Sequence, residues 1–143
     1  MSDWPRQPNA RTCGPSSVVV AEDLDGPWPN FHDDVLAMHR RLTGVRDRHG
    51  RWQVPWLRMF GTPPWAVARE LGGSWHRYRQ ADVLAALPTP VPVYLGTRWL
   101  PRHVVLVLDE RDGEPLVYNP ALGAVVLISS SKWKRRWFAV LPR

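Results

Sequence analysis

At Pro90 the chain changes its hydrophobic period, and this limits the possible folds more than any other feature of the sequence. Upstream, apolar residues recur at helical spacing; downstream they gather in short runs rich in Val, Leu and aromatics. Residues 30–43 read as a helix, with Asn30 as N-cap, Asp33 and Asp34 in the first turn, and His39, Arg40 and Arg41 before the stop at Gly44. Phe31, Val35, Met38 and Leu42 form its buried stripe. A second helix is predicted over 62–71, capped by Thr62 and closed by Gly72-Gly73, and a third over 81–87. Strands are predicted at 91–95, 103–109, 115–118, 124–128 and 137–141, with turns at Asp112-Gly113 and Asn119-Pro120. Helices followed by an antiparallel sheet make an α+β domain. Two stretches stay open: residues 1–12 form an ordered or a loose arm, and the segment from Ser16 has valines that suit a strand after a Gly14-Pro15 that suits a helix start.

With no repeat or linker-like stretch, all 143 residues are expected to form a single domain. One cysteine excludes an internal disulfide and a zinc site made of several thiolates. No cofactor or metal is expected, because no two histidines share ligand spacing with a carboxylate on one helical face. Nor is a membrane span, since no apolar run approaches the roughly 20 residues it needs. The N-terminus lacks the basic start and apolar stretch of a signal peptide, which implies a cytoplasmic location or export by a route without one. The net charge of +6, with 17 Arg among 19 basic residues and 9 Trp, makes nucleic acid a partner class to weigh.

The single thiol, Cys13, lies in Arg11-Thr-Cys-Gly-Pro-Ser-Ser, just before a possible helix start. There the first-turn N–H groups would favour an anion and lower the thiol pKa. Of five histidines, His32, His39 and His49 suit a solvated middle region and His76 a half-exposed strand. His103 differs because it opens the most apolar strand, Val-Val-Leu-Val-Leu. If Arg111-Asp112-Gly113 makes a tight hairpin, residues whose numbers sum to about 224 face each other. Asn119 then opposes Val105 and lies diagonal to His103, within reach of an imidazole. Cys13 as nucleophile, His103 as base and Asn119 as its orienter form a coherent set.

These residues resemble a known arrangement. Gln7, six positions before Cys13, with Gly14 after it, is similar to papain-like peptidases, where a glutamine helps form the oxyanion hole and the cysteine starts the central helix. His103 before its apolar run, Asn119 sixteen residues later in Val-Tyr-Asn-Pro, and the closing Ser-Lys-Trp-Lys-Arg-Arg-Trp-Phe-Ala-Val resemble the bacteriocin-processing double-glycine peptidases. The resemblance spans residue 7 to about 141 and implies a papain-like fold, a peptide or protein substrate, and acyl transfer through Cys13, His103, Asn119 and Gln7. Asn119 stands where that family commonly has Asp, and residues 45–60 match none of its motifs.

The expectation is therefore a cysteine hydrolase of a peptide or isopeptide bond, in the setting of a toxin, an effector or a phage-encoded domain. The same scaffold supports deamidation or transamidation. A non-catalytic module binding nucleic acid through Arg46, Arg48, Arg51, Arg58, Trp52, Trp56 and residues 132–136 is disfavoured, because the basic residues are spread along the chain. The charge also suits docking of an acidic inhibitor or immunity protein.

Overall fold

The computed structural model describes residues 4–8, 12–43, 64–99 and 101–142. Three helices come first: α1 (Cys13–Glu22), α2 (Phe31–Leu42) and α3 (Pro64–Leu71). They are followed by β1 (Gly73–Arg77), α4 (Gln80–Ala86), β2 (Val91–Gly96), β3 (Pro101–Arg111), β4 (Glu114–Asn119), β5 (Ala124–Leu127), a 3-10 turn (Ile128–Ser130) and β6 (Arg135–Pro142). The six strands form one sheet in the order β1-β6-β2-β3-β4-β5, antiparallel at every step.

The β3–β4 register is set by its turn. Asp112 and Gly113 both have positive φ, 53° and 80°, the conformation of a two-residue hairpin turn matched to strand twist. The turn pairs Arg111 with Glu114, Glu110 with Pro115 and Asp109 with Leu116, and a register shift between Val107 and Asp109 then brings Val107 opposite Val117 and Leu106 opposite Tyr118. On β3, Val104 and Leu106 join the clusters of α1, α2 and α3, among them Val18, Val35, Met38, Leu42 and Val67. Val105 and Val107 join the opposite cluster, with Val83 of α4, Val93, Leu95 and Ile128. Burial on both faces explains why this strand reads as one continuous apolar run. Each such side chain contributes roughly 1.5–3 kcal/mol on leaving water.

The ambiguous valine segment is helical: α1 is buried along most of its length, and tertiary packing overrides the strand preference of Val18, Val19 and Val20. On α2 the charge order and the buried stripe are as expected, but Asn30 makes no side-chain cap. Its carbonyl accepts the Asp34 N–H at 2.9 Å instead, and Thr43 closes the far end by donating to the His39 carbonyl through Oγ1 at 2.7 Å. His39 is buried rather than solvated, because it lies on the flank of the same stripe. Arg41 grips the buried Glu70 of α3 with two hydrogen bonds, Nε to Oε1 at 3.0 Å and a terminal nitrogen to Oε2 at 2.9 Å, and so locks α2 to α3. Gly44, Thr62, His49 and the Arg/Trp-rich residues 45–60 lie outside the described residues. Among the described residues, no helix is long and apolar enough to cross a membrane.

Candidate active site

The N-terminus of α1 points at the start of β3. The β3–β4 ladder reaches only as far as Leu106–Tyr118, so Val104 lies beyond its last pair. The Val104 N–H, unused by β4, donates to Cys13 Sγ at 3.2 Å. His103, the residue before Val104, is buried where β3 begins opposite Leu95. Cys13 and His103 are 90 positions apart in sequence, yet the sulfur rests on the backbone immediately next to the histidine.

His103 Nε2 and Asn119 Oδ1 are 2.8 Å apart. The same Oδ1 accepts the Ala121 N–H at 3.1 Å. A backbone N–H can only donate, so the atom facing both partners is the amide oxygen and His103 carries its proton on Nε2. Nδ1 is thereby left with a lone pair. Burial lowers the His103 pKa below its usual 6.5 and the charge of Lys132 pushes the same way, while the hydrogen bond to Asn119 opposes them. The ring is therefore neutral at pH 7 and able to accept a proton.

Cys13 departs from the sequence expectation. Its thiol is pushed up to about 11, not down. Desolvation is the largest cause: the side chain is 7% exposed, in a cluster with Val18, Tyr94 and Val104. The N–H groups of Val104, Gly14 and Cys13 itself pull in the expected direction but do not offset it. Tyr94, opposite Val104 on β2, is buried too; burial raises its hydroxyl pKa, and negative charge on Cys13 would add to the rise.

Gln7 sits on an N-terminal arm that is ordered over residues 4–8 and held on the β4–β5 turn. Its N–H donates to the Pro120 carbonyl at 2.8 Å, and Arg6 Nε to the Ala121 carbonyl at 3.0 Å. The Tyr118 hydroxyl donates to the Pro5 carbonyl, and Trp4 packs on Tyr118 and Trp28. Gly123 permits this approach: its φ is +63°, and a Cβ there would meet Arg6 Cβ and the Trp4 carbonyl oxygen at 3.2 Å. One turn thus holds the histidine through Asn119 and the glutamine backbone through Pro120.

Four residues picked from the sequence consequently converge on one end of the sheet: Cys13, His103 and Asn119 linked through hydrogen bonds and adjacent backbone, and Gln7 on the arm beside Asn119. His32 and His76 are exposed, and His76 Nε2 pairs with Ser74 Oγ at 2.8 Å. The contributions of Val104, Tyr94 and Lys132 were not legible in the sequence, since each depends on elements far apart in the chain being packed together. No group of His, Cys, Asp and Glu side chains able to hold a metal ion occurs among the described residues.

Solved structures of two peptidase domains share the architecture. The peptidase domain of Streptococcus ComA, a bifunctional ABC transporter involved in quorum sensing, matches with a TM-score of 0.58 and 17% identity over 100% of both chains. A double-glycine-motif protease from an AMS/PCAT transporter, solved in complex with the leader peptide, matches with a TM-score of 0.59 and 16% identity over 95% of this chain and 86% of that one. No protein-family model and no curated sequence matches the chain. The likeness establishes the fold, an α+β arrangement shared with these peptidase domains.

Proposed function

We propose that this chain is a cysteine hydrolase acting on a peptide or isopeptide bond, with Cys13 as nucleophile. The observation that carries this reading is the 2.8 Å His103–Asn119 pair set directly beside the strand position that holds Cys13 Sγ at 3.2 Å. In the resting site both partners are neutral, so the thiol proton moves to His103 Nδ1 as sulfur attacks the carbonyl carbon. Asn119 Oδ1 holds the Nε2 proton throughout and fixes the ring that becomes imidazolium. The Cys13 N–H and the Gln7 carboxamide are assigned to the oxyanion, a contact worth about 2.7–4 kcal/mol per donor. The C–N bond breaks as His103 returns its proton to the leaving amine, and water, deprotonated by the same ring, releases the acid from the thioester.

A peptide is the substrate class favoured, because one protein of this fold was solved with a leader peptide bound. The test is covalent capture. A set of short peptidyl chloromethyl ketones is expected to label the wild-type chain at Cys13, with labelling lost in Cys13→Ala and strongly reduced in His103→Ala. A pool of synthetic peptides incubated with the wild-type chain should then yield new termini; conversion of Gln to Glu without cleavage would make the chain a deamidase. Absence of both an adduct and a Cys13-dependent product overturns the proposal.

A further inference from the structure

The end of the sheet that carries His103 is ringed by cations set on aromatic rings. In the β2–β3 hairpin the Arg98 guanidinium lies 4.7 Å from the Trp99 ring, and Trp99 is 74% exposed. Across the sheet Arg135 lies 4.6 Å from the Trp137 ring. Trp137 Nε1 donates to the Thr97 carbonyl at 2.9 Å and ties the two ledges together. Arg135 pairs with Gly96 and Arg136 with Leu95, the residue that also faces His103, so the ledges adjoin the catalytic histidine. Lys132, 4.9 Å from the Trp133 ring, is close enough for its charge to act on His103, and the exposed Arg102 directly precedes that residue.

No described carboxylate pairs with these charges: none forms an ion pair with Arg98, Arg102, Lys132 or Arg135. Sequence and topology explain why: residues 115–143 contain no Asp or Glu, and the nearest acids of the sheet, Asp109, Glu110, Asp112 and Glu114, crowd its other end around the β3–β4 turn. Arg136 is turned away from the rim, donating to Gln80 Oε1 at 2.6 Å and acting on Glu114. Arg98, Lys132 and Arg135 each lie on an indole ring and are exposed, which leaves their charge available to a carboxylate.

We infer that this rim, centred on Arg98, Arg102, Lys132 and Arg135 with Trp99 and Trp137, docks an acidic segment of the peptide substrate beside the scissile bond. The choice of a peptide over another polyanion rests on the hydrolase reading above. The rim itself would be present whether or not Cys13 turns substrate over.

The test is therefore a binding measurement on the full-length Cys13→Ala chain, followed by fluorescence anisotropy. The probes are a labelled peptide rich in Glu, the same peptide with Gln at those positions, and a labelled single-stranded oligothymidylate. The Glu peptide is expected to bind about tenfold tighter than the Gln peptide and to weaken from about 50 to 200 mM salt. Replacing both Arg98 and Arg135 by Glu should abolish that preference. Arg98→Gln with Arg135→Gln, which keeps the side-chain stems over the rings, should remove roughly tenfold in affinity, consistent with two exposed ion pairs. Equal binding of the two peptides overturns the inference, as does an unchanged preference in a charge variant with wild-type circular dichroism. Tighter binding of the oligothymidylate than of the Glu peptide overturns it in favour of a nucleic-acid surface. Chloromethyl ketone labelling without acidic preference would defeat the rim and leave the hydrolase standing; acidic preference without labelling would do the reverse.

Discussion

The buried thiol makes a quantitative prediction about chemical reactivity. With Cys13 pushed up to about 11, the thiolate at pH 7 amounts to about one molecule in ten thousand. A free cysteine with a pKa near 8.5 holds about 3% thiolate, roughly 300-fold more. A more basic thiolate is also a better nucleophile, by about tenfold over this interval, so the net reaction should be roughly 30-fold slower than for free cysteine. The assay is alkylation of the substrate-free chain by iodoacetamide, with intact mass read over time from about pH 5 to pH 10. The logarithm of the rate should rise with unit slope over the whole range, because every pH unit below 11 multiplies the thiolate tenfold. His103→Ala should change this little, since the resting histidine is neutral and does not hold a thiolate. A rate faster than free cysteine and flat between about pH 5 and 8 would refute the reasoning; it would mean a preformed thiolate–imidazolium pair, and hence that burial does not govern Cys13.

Two substitutions at the β4–β5 turn test how the base and the arm are held. Asn119→Asp replaces a neutral acceptor 2.8 Å from His103 Nε2 by a charged one and should raise the histidine pKa. Activity requires the neutral ring, so the acidic limb of the kcat/KM profile, lying below 6.5 in the wild type, should move to higher pH in Asn119→Asp; an unmoved limb would show that another group controls it. Gly123→Ala places a methyl group 3.2 Å from Arg6 Cβ and the Trp4 carbonyl at a φ of +63°. It should cost about 1–3 kcal/mol in urea unfolding and lower kcat more than it raises KM, as Gln7 loses its place; a wild-type kcat in a destabilised chain would separate the arm from catalysis.

How much of this could be read from residues alone depended on the distance over which each feature is determined. The two-residue Asp112-Gly113 turn fixes Arg111–Glu114, Glu110–Pro115 and Asp109–Leu116, whose numbers sum to 225, and the expected sum of 224 is reached only beyond the bulge between Val107 and Asp109, at Val107–Val117 and Leu106–Tyr118. The His103–Asn119 contact followed from that register, with no knowledge of the other strands. No residue type announces that bulge, which offsets by one residue the register that the turn sets. The ionisation of Cys13 has the opposite sign to the one its place at the helix start implies. Helix position was visible in Gly14-Pro15, but desolvation arises from Tyr94 and Val104, some 80 to 90 residues away. His39 is buried against expectation for a similar reason: its charged neighbours on α2 do not show what packs against it. Among the described residues, Trp99, Trp133 and Trp137 serve as platforms for Arg98, Lys132 and Arg135, and Trp4–Trp28 and Trp65–Trp75 pack in clusters.

Three separate features bias this site the same way. Burial disfavours the thiolate on Cys13, and burial together with Lys132 disfavours the imidazolium on His103. At the third position, Asn119 supplies a hydrogen bond where a carboxylate would have supplied one and a negative charge as well. An aspartate there would favour imidazolium and oppose the other two; an amide orients the ring without doing so. The departure from the usual acid is thus consistent with its surroundings, since a site that stores neutral partners gains nothing from a charge that stabilises the ion pair in the resting state. In the proposed reaction, charge separation is therefore deferred to the attack itself. It becomes favourable only when a carbonyl oxygen takes up negative charge beside the α1 N-terminus, where the Cys13 and Gly14 N–H groups already bear on the sulfur.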